Sequence, residues 1–324
     1  MVACRRLAER LVIGYATSRS LRENKVVPAC RDGVNVVIWS FVHLEVVDGV
    51  PRVRATFDVD EVKRAKRDID DGVQHLVAFG GWNGPHPDTS VDGATWWETW
   101  ETWNDGVFDG VDWDLEGHDD AAAPTTTLTA EVEDIVVDFT RLARENGYVV
   151  GAAPAESYLD ANSNGASFSR RLDHSPPWRD GDAPFPYAGR NAYARLVSRC
   201  DFDFVSVQFY EGYSRAWHET TKTKGGGGVS LASYLENVAT RLMEGFDVGD
   251  VGRVAVPSER LVLGFANGWA DGAKFLKPDP EAIRTALARL QAAGREPRGV
   301  MFWVIDEEGA NGLTFAKELS RSFK

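Results

Sequence analysis

Eight short apolar runs, each rich in β-branched or aromatic residues, recur along this 324-residue chain: Leu11–Tyr15, Val34–Phe41, His75–Gly81, Phe108–Glu116, Tyr148–Pro154, Phe202–Tyr210, Leu261–Ala266 and Gly299–Ile305. Enough sequence lies between successive runs to hold a helix. Several of them, such as Val36-Val37-Ile38-Trp39 and Leu261-Val262-Leu263, are almost continuously apolar, as parallel strands covered by helices must be. Eight such units predict a single-domain (β/α)8 barrel over residues 11–324, preceded by an N-terminal extension of residues 1–10. An open doubly wound sheet would need a glycine-rich phosphate turn after its first strand, and Gly14-Tyr15-Ala16-Thr17 does not supply one.

Helical periodicity fills the gaps. Trp96, Trp100 and Trp103 fall at i, i+4 and i+7 of Ala94–Trp103, with Glu98 and Glu101 on the other side, which predicts a helix packed on the barrel. Val132–Glu145, Leu231–Phe246, Pro280–Ala293 and Gly309–Phe323 have the same character. Two polar, Gly-rich insertions, Ser157–Arg190 and Glu219–Ser230, both follow strands and so belong to the carboxyl rim, where barrel enzymes build their active sites. Gly225 to Gly228, inside the second insertion, form a flexible connector.

The fourth run carries the chemistry. In Phe108-Asp109-Gly110-Val111-Asp112-Trp113-Asp114-Leu115-Glu116 the acids Asp112, Asp114 and Glu116 stand two apart, so a strand puts all three on one face and Val111, Trp113 and Leu115 on the other. Carboxylates crowded into one low-dielectric place cannot all ionise, so at least one must have a raised pKa, as a general acid working near neutrality requires. As packing, such a triple would be costly, because unpaired buried charges cost several kcal/mol each. Asp109 is off that face and is expected to make a structural hydrogen bond. Glu156, at the end of the fifth run, is a further acid that could act as a nucleophile beside Glu116 only if the two carboxyls lay about 5–5.5 Å apart.

Composition narrows the partners. A formal charge of −13 argues against nucleic acid or an anionic membrane as partner, and favours a neutral or cationic substrate. No run of 18 apolar residues exists to span a membrane. Cys4, Cys30 and Cys200 are far apart and match no metal-ligand spacing, so neither a metal nor an organic cofactor is implied, and buried free thiols are expected rather than a Cys4–Cys30 bridge. Met1 to Arg10 contains three Arg and no apolar stretch of signal-peptide length.

The pattern Asp109-x-x-Asp112-x-Asp114-x-Glu116 resembles the signature of glycoside hydrolase family 18, the chitinases. Phe79-Gly80-Gly81-Trp82 resembles the family's Ser-x-Gly-Gly strand, with Ala78 in place of the usual serine. Val207-Gln208-Phe209-Tyr210 is similar to the Gln-x-Tyr of the sixth strand in plant-type and some microbial members, and Trp303 matches the tryptophan of the last strand. Glu211 departs from the Asp or Asn common after the tyrosine.

The resemblance implies a barrel that cleaves β-1,4-linked N-acetylglucosamine polymers with retention, Glu116 protonating the glycosidic oxygen while the substrate's own 2-acetamido group attacks the anomeric carbon. It implies that Asp114 holds the acetamido nitrogen, that Asp112 shares a proton with Asp114, and that Tyr210 and Gln208 position the acetamido group. Trp303 would floor the sugar, Tyr15 and Phe41 would wall the pocket, and Trp82 would extend the groove. A secreted monomer acting on chitin or N-acetylglucosamine oligosaccharides is expected. The alternatives on the same scaffold are an endo-β-N-acetylglucosaminidase acting on N-glycans and an inactive chitin-binding lectin. Lectins of this kind typically lose the acid, whereas Glu116, Asp114 and Tyr210 are all present.

Overall fold

Successive parallel strands need a crossover between them, and here each crossover is long enough to carry helix. The computed structural model describes residues 7–162, 167–172, 190–211, 214–221 and 228–321. The barrel strands are β1 (Leu11–Ala16), β2 (Val36–Val47), β3 (Gln74–Gly80), β4 (Gly110–Asp114), β5 (Val149–Ala152), β6 (Phe204–Gln208), β7 (Leu261–Ala266) and β8 (Gly299–Trp303). They pair in parallel in chain order from β1 to β8, and β1 pairs with both β2 and β8, which closes the barrel. The eight sequence runs are thus the eight barrel strands, in the expected order.

Alternation along each strand divides the buried residues into two cores. Leu11, Ile13 and Tyr15 of β1, Val36 and Ile38 of β2, Leu76 and Ala78 of β3 and Met301 of β8 fill the barrel interior. Val111, Trp113 and Leu115 join the larger core between the strands and the helices. Asp112, Asp114 and Glu116 therefore enter the interior that the neighbouring strands line with apolar groups, and all three are buried.

Helix Gly93–Asn104 starts at Asp92, whose side chain accepts from Thr95 N at 2.8 Å, and Asp105 ends it in the left-handed conformation. Trp96, Trp97 and Trp100 are buried against the barrel, with Trp97 edge-on to Phe139 at 5.6 Å and Trp100 edge-on to Tyr148 at 5.1 Å. Such pairs contribute about 0.5–1.5 kcal/mol each beyond their area, so the tryptophan repeat is packing. Helices Ala130–Glu145 and Pro280–Ala292 lie where expected.

Three differences from expectation have local causes. Leu231–Glu244 stops short of Phe246 because Gly245 takes φ +83°, and Phe246–Val248 instead pairs with Gly252–Val254 as a small hairpin. The last helix begins only at Phe315 and runs to Ser320, since Gly309, Asn311 and Gly312 all adopt positive φ. Strand β2 runs six residues past Phe41 and turns back at Asp48-Gly49 into Val50–Ala55, an Asp-Gly hairpin between apolar residues that the sequence reading passed over. Cys30 and Cys200 are free, their thiols pushed up to about 12 by burial, and Cys4 lies outside the described residues. So does most of Ser157–Arg190, together with Gly225 to Gly227.

The end of β3 depends on two glycines. Gly80 has φ +100° and Gly81 φ +80°, and Gly81 N–H donates to the Asp114 carbonyl at 2.6 Å. A Cβ on Gly80 would strike the Asp114 carbonyl, and one on Gly81 would enter the Phe41 ring. Gly81→Ala is therefore expected to destabilise the fold by about 2–4 kcal/mol, from backbone strain plus overpacking. An unchanged melting temperature would show that the ring moves aside freely.

Candidate active site

The strand ends of β1, β4, β6 and β8 bring the predicted residues to one place at the carboxyl mouth of the barrel. Deepest is Asp112, fully buried, with Oδ2 accepting a short hydrogen bond from the Tyr15 hydroxyl and Oδ1 without a partner. Burial pushes its carboxyl up to about 7, with the Tyr15 hydrogen bond acting in the opposite direction. One strand repeat further out is Asp114, whose Oδ1 accepts from Gln208 Nε2 at 2.8 Å. Burial first, then the charges of Glu116 and Asp112, hold its carboxyl well above the usual range. Glu116 stands at the strand's end, 5% exposed, raised by burial to about 7, and its Oε2 has no partner. Asp114 and Glu116 share a hydrogen bond that raises the first and lowers the second, which is how two carboxyls sharing a proton behave.

This geometry revises two expected contacts. Asp112 acts on Asp114 through charge, because its own hydrogen bond goes to Tyr15, and the carboxyl bonded to Asp114 is Glu116. Gln208 spends its amide nitrogen on Asp114, at 2.8 Å, and on the Ala153 carbonyl, at 2.7 Å, so it holds the acid pair, and its Oε1 is buried without a partner.

The aromatic groups fall into layers. Tyr15 is 1% exposed, and its hydroxyl is committed to Asp112. Its ring centroid is 5.6 Å from that of Trp303, which is partly exposed and stacks at 5.8 Å and 21° on partly exposed Phe41. The Ser40–Phe41 and Trp303–Val304 peptide bonds are both cis. Tyr210 is 6% exposed, its phenol raised by burial and by the charges of Glu211, Glu116 and Asp114. Trp82 sits at the rim, tied to Asp119 Oδ1 at 3.0 Å and close to where a Cβ on Gly117 would stand.

Other residues in this neighbourhood escaped the sequence reading. The Tyr193 hydroxyl accepts from Leu115 N at 2.7 Å, between the two catalytic candidates, and its ring stacks on Tyr158. His86 Nε2 meets the Glu116 carbonyl at 3.0 Å. After β7, Trp269 Nε1 donates to the Trp303 carbonyl at 2.9 Å, and Leu276 N donates to the Tyr210 carbonyl at 2.8 Å, so this loop braces both walls. Trp269 packs edge-on to Phe275 at 4.8 Å.

Asp109 makes the structural contact expected of it, its Oδ2 accepting from His75 N at 2.8 Å. Both oxygens of buried Glu156 are occupied, Oε1 by the Tyr234 hydroxyl and Oε2 by Ala216 N at 2.8 Å. Glu156, raised to about 8 by burial and by Asp160, thereby anchors the turn after β6.

No protein-family model matches this chain, and neither does any curated protein. Its fold is similar to solved structures of family 18 glycoside hydrolases. The chitinase ChiB of Flavobacterium johnsoniae is 14% identical with a TM-score of 0.58, over 98% of this chain and 94% of that one. A chitinase from Pseudoalteromonas aurantia is 16% identical with a TM-score of 0.58, over 96% and 99%. A fungal endo-β-N-acetylglucosaminidase is 14% identical with a TM-score of 0.59, over 97% and 98%. The chain has the chitinase-like (β/α)8 barrel of that group over nearly its whole length.

Proposed function

We propose that this protein is a chitinase that hydrolyses β-1,4-linked N-acetylglucosamine polymers with retention, using one protein acid and the substrate's own amide. The observation that carries the reading is the buried Asp114–Glu116 pair, sharing a hydrogen bond close to Tyr210, with the buried Oε2 of Glu116 unpartnered.

A sugar laid on Trp303 puts its apolar face on the indole. Glu116 gives its proton to the bridging oxygen as the C1–O bond breaks, and the acetamido oxygen attacks C1 from the opposite face to form an oxazolinium ion. The proton shared by Asp114 and Glu116 settles on Glu116 when the sugar enters, leaving Asp114 as the carboxylate that accepts from the acetamido N–H and stabilises the positive charge there, while the Tyr210 hydroxyl donates to the acetamido oxygen. Glu116, now a carboxylate, takes a proton from the water that reopens the ring at C1, and a second inversion restores the starting configuration. Gln208 fixes Asp114, and Tyr15 holds Asp112 beneath it.

Since Glu116 must be protonated to act and its carboxyl is raised to about 7, kcat/KM is expected to be highest on the acidic side and to fall as pH rises through about 7. A pH–rate profile that stays flat to pH 9 contradicts the assignment. The function itself is tested by incubating the protein with chitin oligomers and, separately, with an N-glycosylated protein, followed by mass analysis. Chitin oligomers shortened by whole N-acetylglucosamine units support the reading. Glycan release alone would make the protein an endo-β-N-acetylglucosaminidase, and no cleavage with retained binding would make it a lectin.

A further inference from the structure

The parallel ladder between β3 and β4 ends with Gly80 opposite Asp114. Glu116 lies past that point, on chain the ladder no longer holds, yet its carboxyl has to stay buried beside Asp114. On one side the Tyr193 hydroxyl pins the preceding residue, accepting from Leu115 N at 2.7 Å and donating to the Leu115 carbonyl at 3.1 Å. On the other side the segment from Trp82 to His86 takes over where β3 stops. Asn83 N donates to the Gly117 carbonyl at 3.1 Å, the Asn83 amide and Asp119 exchange two hydrogen bonds at 2.8 Å, and Trp82 Nε1 donates to Asp119 Oδ1 at 3.0 Å. His86 Nε2 meets the Glu116 carbonyl at 3.0 Å. Among the described residues, this is the contact of the segment that falls on the general acid itself.

A carbonyl can only accept, so His86 carries a proton on Nε2. Burial lowers its pKa, with the bond to the Glu116 carbonyl acting in the opposite direction, and the ring is therefore neutral above neutrality. Protonation at Nδ1 would leave the Nε2–H in place, so the contact persists on both sides of the His86 pKa. Any change of pH behaviour on losing the ring must then come through Glu116. The groups that face the Glu116 carboxyl are Asp114 on its own strand, Gln208, Tyr210 and Glu211 at the end of β6, and Tyr158 and Tyr193 in the connection before it, with Lys274 from the loop after β7 facing Glu211.

We infer that His86 is a positioning residue for the general acid, its Nε2–H holding the Glu116 carbonyl so that the carboxyl stays in its buried place against Asp114. This rests on the proposed function for the role of Glu116. Burial is the largest influence raising the Glu116 carboxyl. Backbone released at this point lets the carboxyl turn towards water, which lowers its pKa towards the ordinary value. Misplacing a reacting group by about 1 Å costs up to about 10²-fold in rate, so the loss falls on kcat.

The test compares His86→Leu, which fills the same space without a donor, with His86→Gln, whose amide nitrogen is as many bonds from the backbone as Nε2. The Glu116 carboxyl is titrated by NMR in protein labelled with ¹³C at glutamate carboxyls, its resonance identified by its loss in Glu116→Gln. His86→Leu is expected to lower the Glu116 pKa by about one pH unit, to reduce kcat on chitin oligomers about tenfold and to leave KM within about twofold. His86→Gln is expected to restore the pKa and most of kcat. A merely structural histidine would lower the melting temperature and leave the titration where it was. An unmoved Glu116 pKa in His86→Leu, or the same shift in both variants, overturns the inference. The ring ¹⁵N signals of the unsubstituted protein give a check that needs no variant to fold: above neutrality they must show the Nε2–H tautomer, and the Nδ1–H tautomer overturns the inference. The titration needs no turnover, so a Glu116 pKa that responds to His86 in a protein that cleaves no chitin oligomer leaves the positioning contact standing and removes the chitinase reading.

Discussion

Glu116→Gln is expected to lower hydrolysis of chitin oligomers by about 10²–10⁴-fold, the usual contribution of a positioned general acid, while oligosaccharide affinity stays near that of the unsubstituted protein. The amide keeps the size of the carboxyl and can still hydrogen-bond Asp114, but it has no proton to give. The same change has an opposite effect on stability. The folded-state pKa of Glu116 lies above its ordinary 4.5, at about 7, so the folded protein holds this proton more tightly than the unfolded chain does. The resulting stabilisation is complete below about pH 4.5 and is lost as pH rises through about 7, a loss of about 3 kcal/mol. Glutamine removes that titration. The variant should melt higher than its parent at pH 8 relative to their difference at pH 4. Lost oligosaccharide binding or undiminished turnover would refute the role given to Glu116.

Asp114→Ala is expected to reduce kcat by 10²-fold or more, the scale of losing one group aimed at charge that develops in the transition state. The cost should fall on kcat more than on KM, because Asp114 is assigned to the charged oxazolinium and not to the resting sugar. It should also change the pH profile. Asp114 shares a hydrogen bond that lowers the Glu116 pKa, so its removal leaves burial opposed only by the Gln208 hydrogen bond and moves the alkaline limb upward. Normal turnover by this variant would remove the substrate-assisted route.

Much of this site is legible in the residues because a strand's period of two is strict. Placing Asp112, Asp114 and Glu116 on one face of β4 follows from spacing alone, and the neighbouring runs say that the face is an interior one. What spacing does not give is depth and partner. Tyr15 is on the inward face of β1 as expected, yet whether an inward tyrosine lines a pocket or lies under it depends on which strand end it reaches, and here its hydroxyl reaches Asp112. Gln208 likewise faces inward, and only the packing of β5 and β6 turns its amide to Asp114 and Ala153.

Tyr193, Trp269 and His86 sit in connections without periodicity, and their contacts with the backbone of Leu115, Trp303 and Glu116 join segments far apart in sequence. No local pattern announces them. The β2 hairpin is different: Asp48-Gly49 between apolar residues is a recognisable turn signal, and the strand it ends runs on from the barrel past Phe41.

The central claim is that the sugar's amide, and no protein carboxylate, completes the displacement that Glu116 begins. Two aryl β-glycosides that differ only at C2, one bearing the acetamido group and the other a hydroxyl, test it most directly in the unsubstituted protein. The account predicts turnover of the acetamido compound and loss of all measurable turnover for the hydroxyl compound, even at concentrations where it occupies the pocket. Comparable cleavage of both would mean that a protein nucleophile does the work, and would contradict the account.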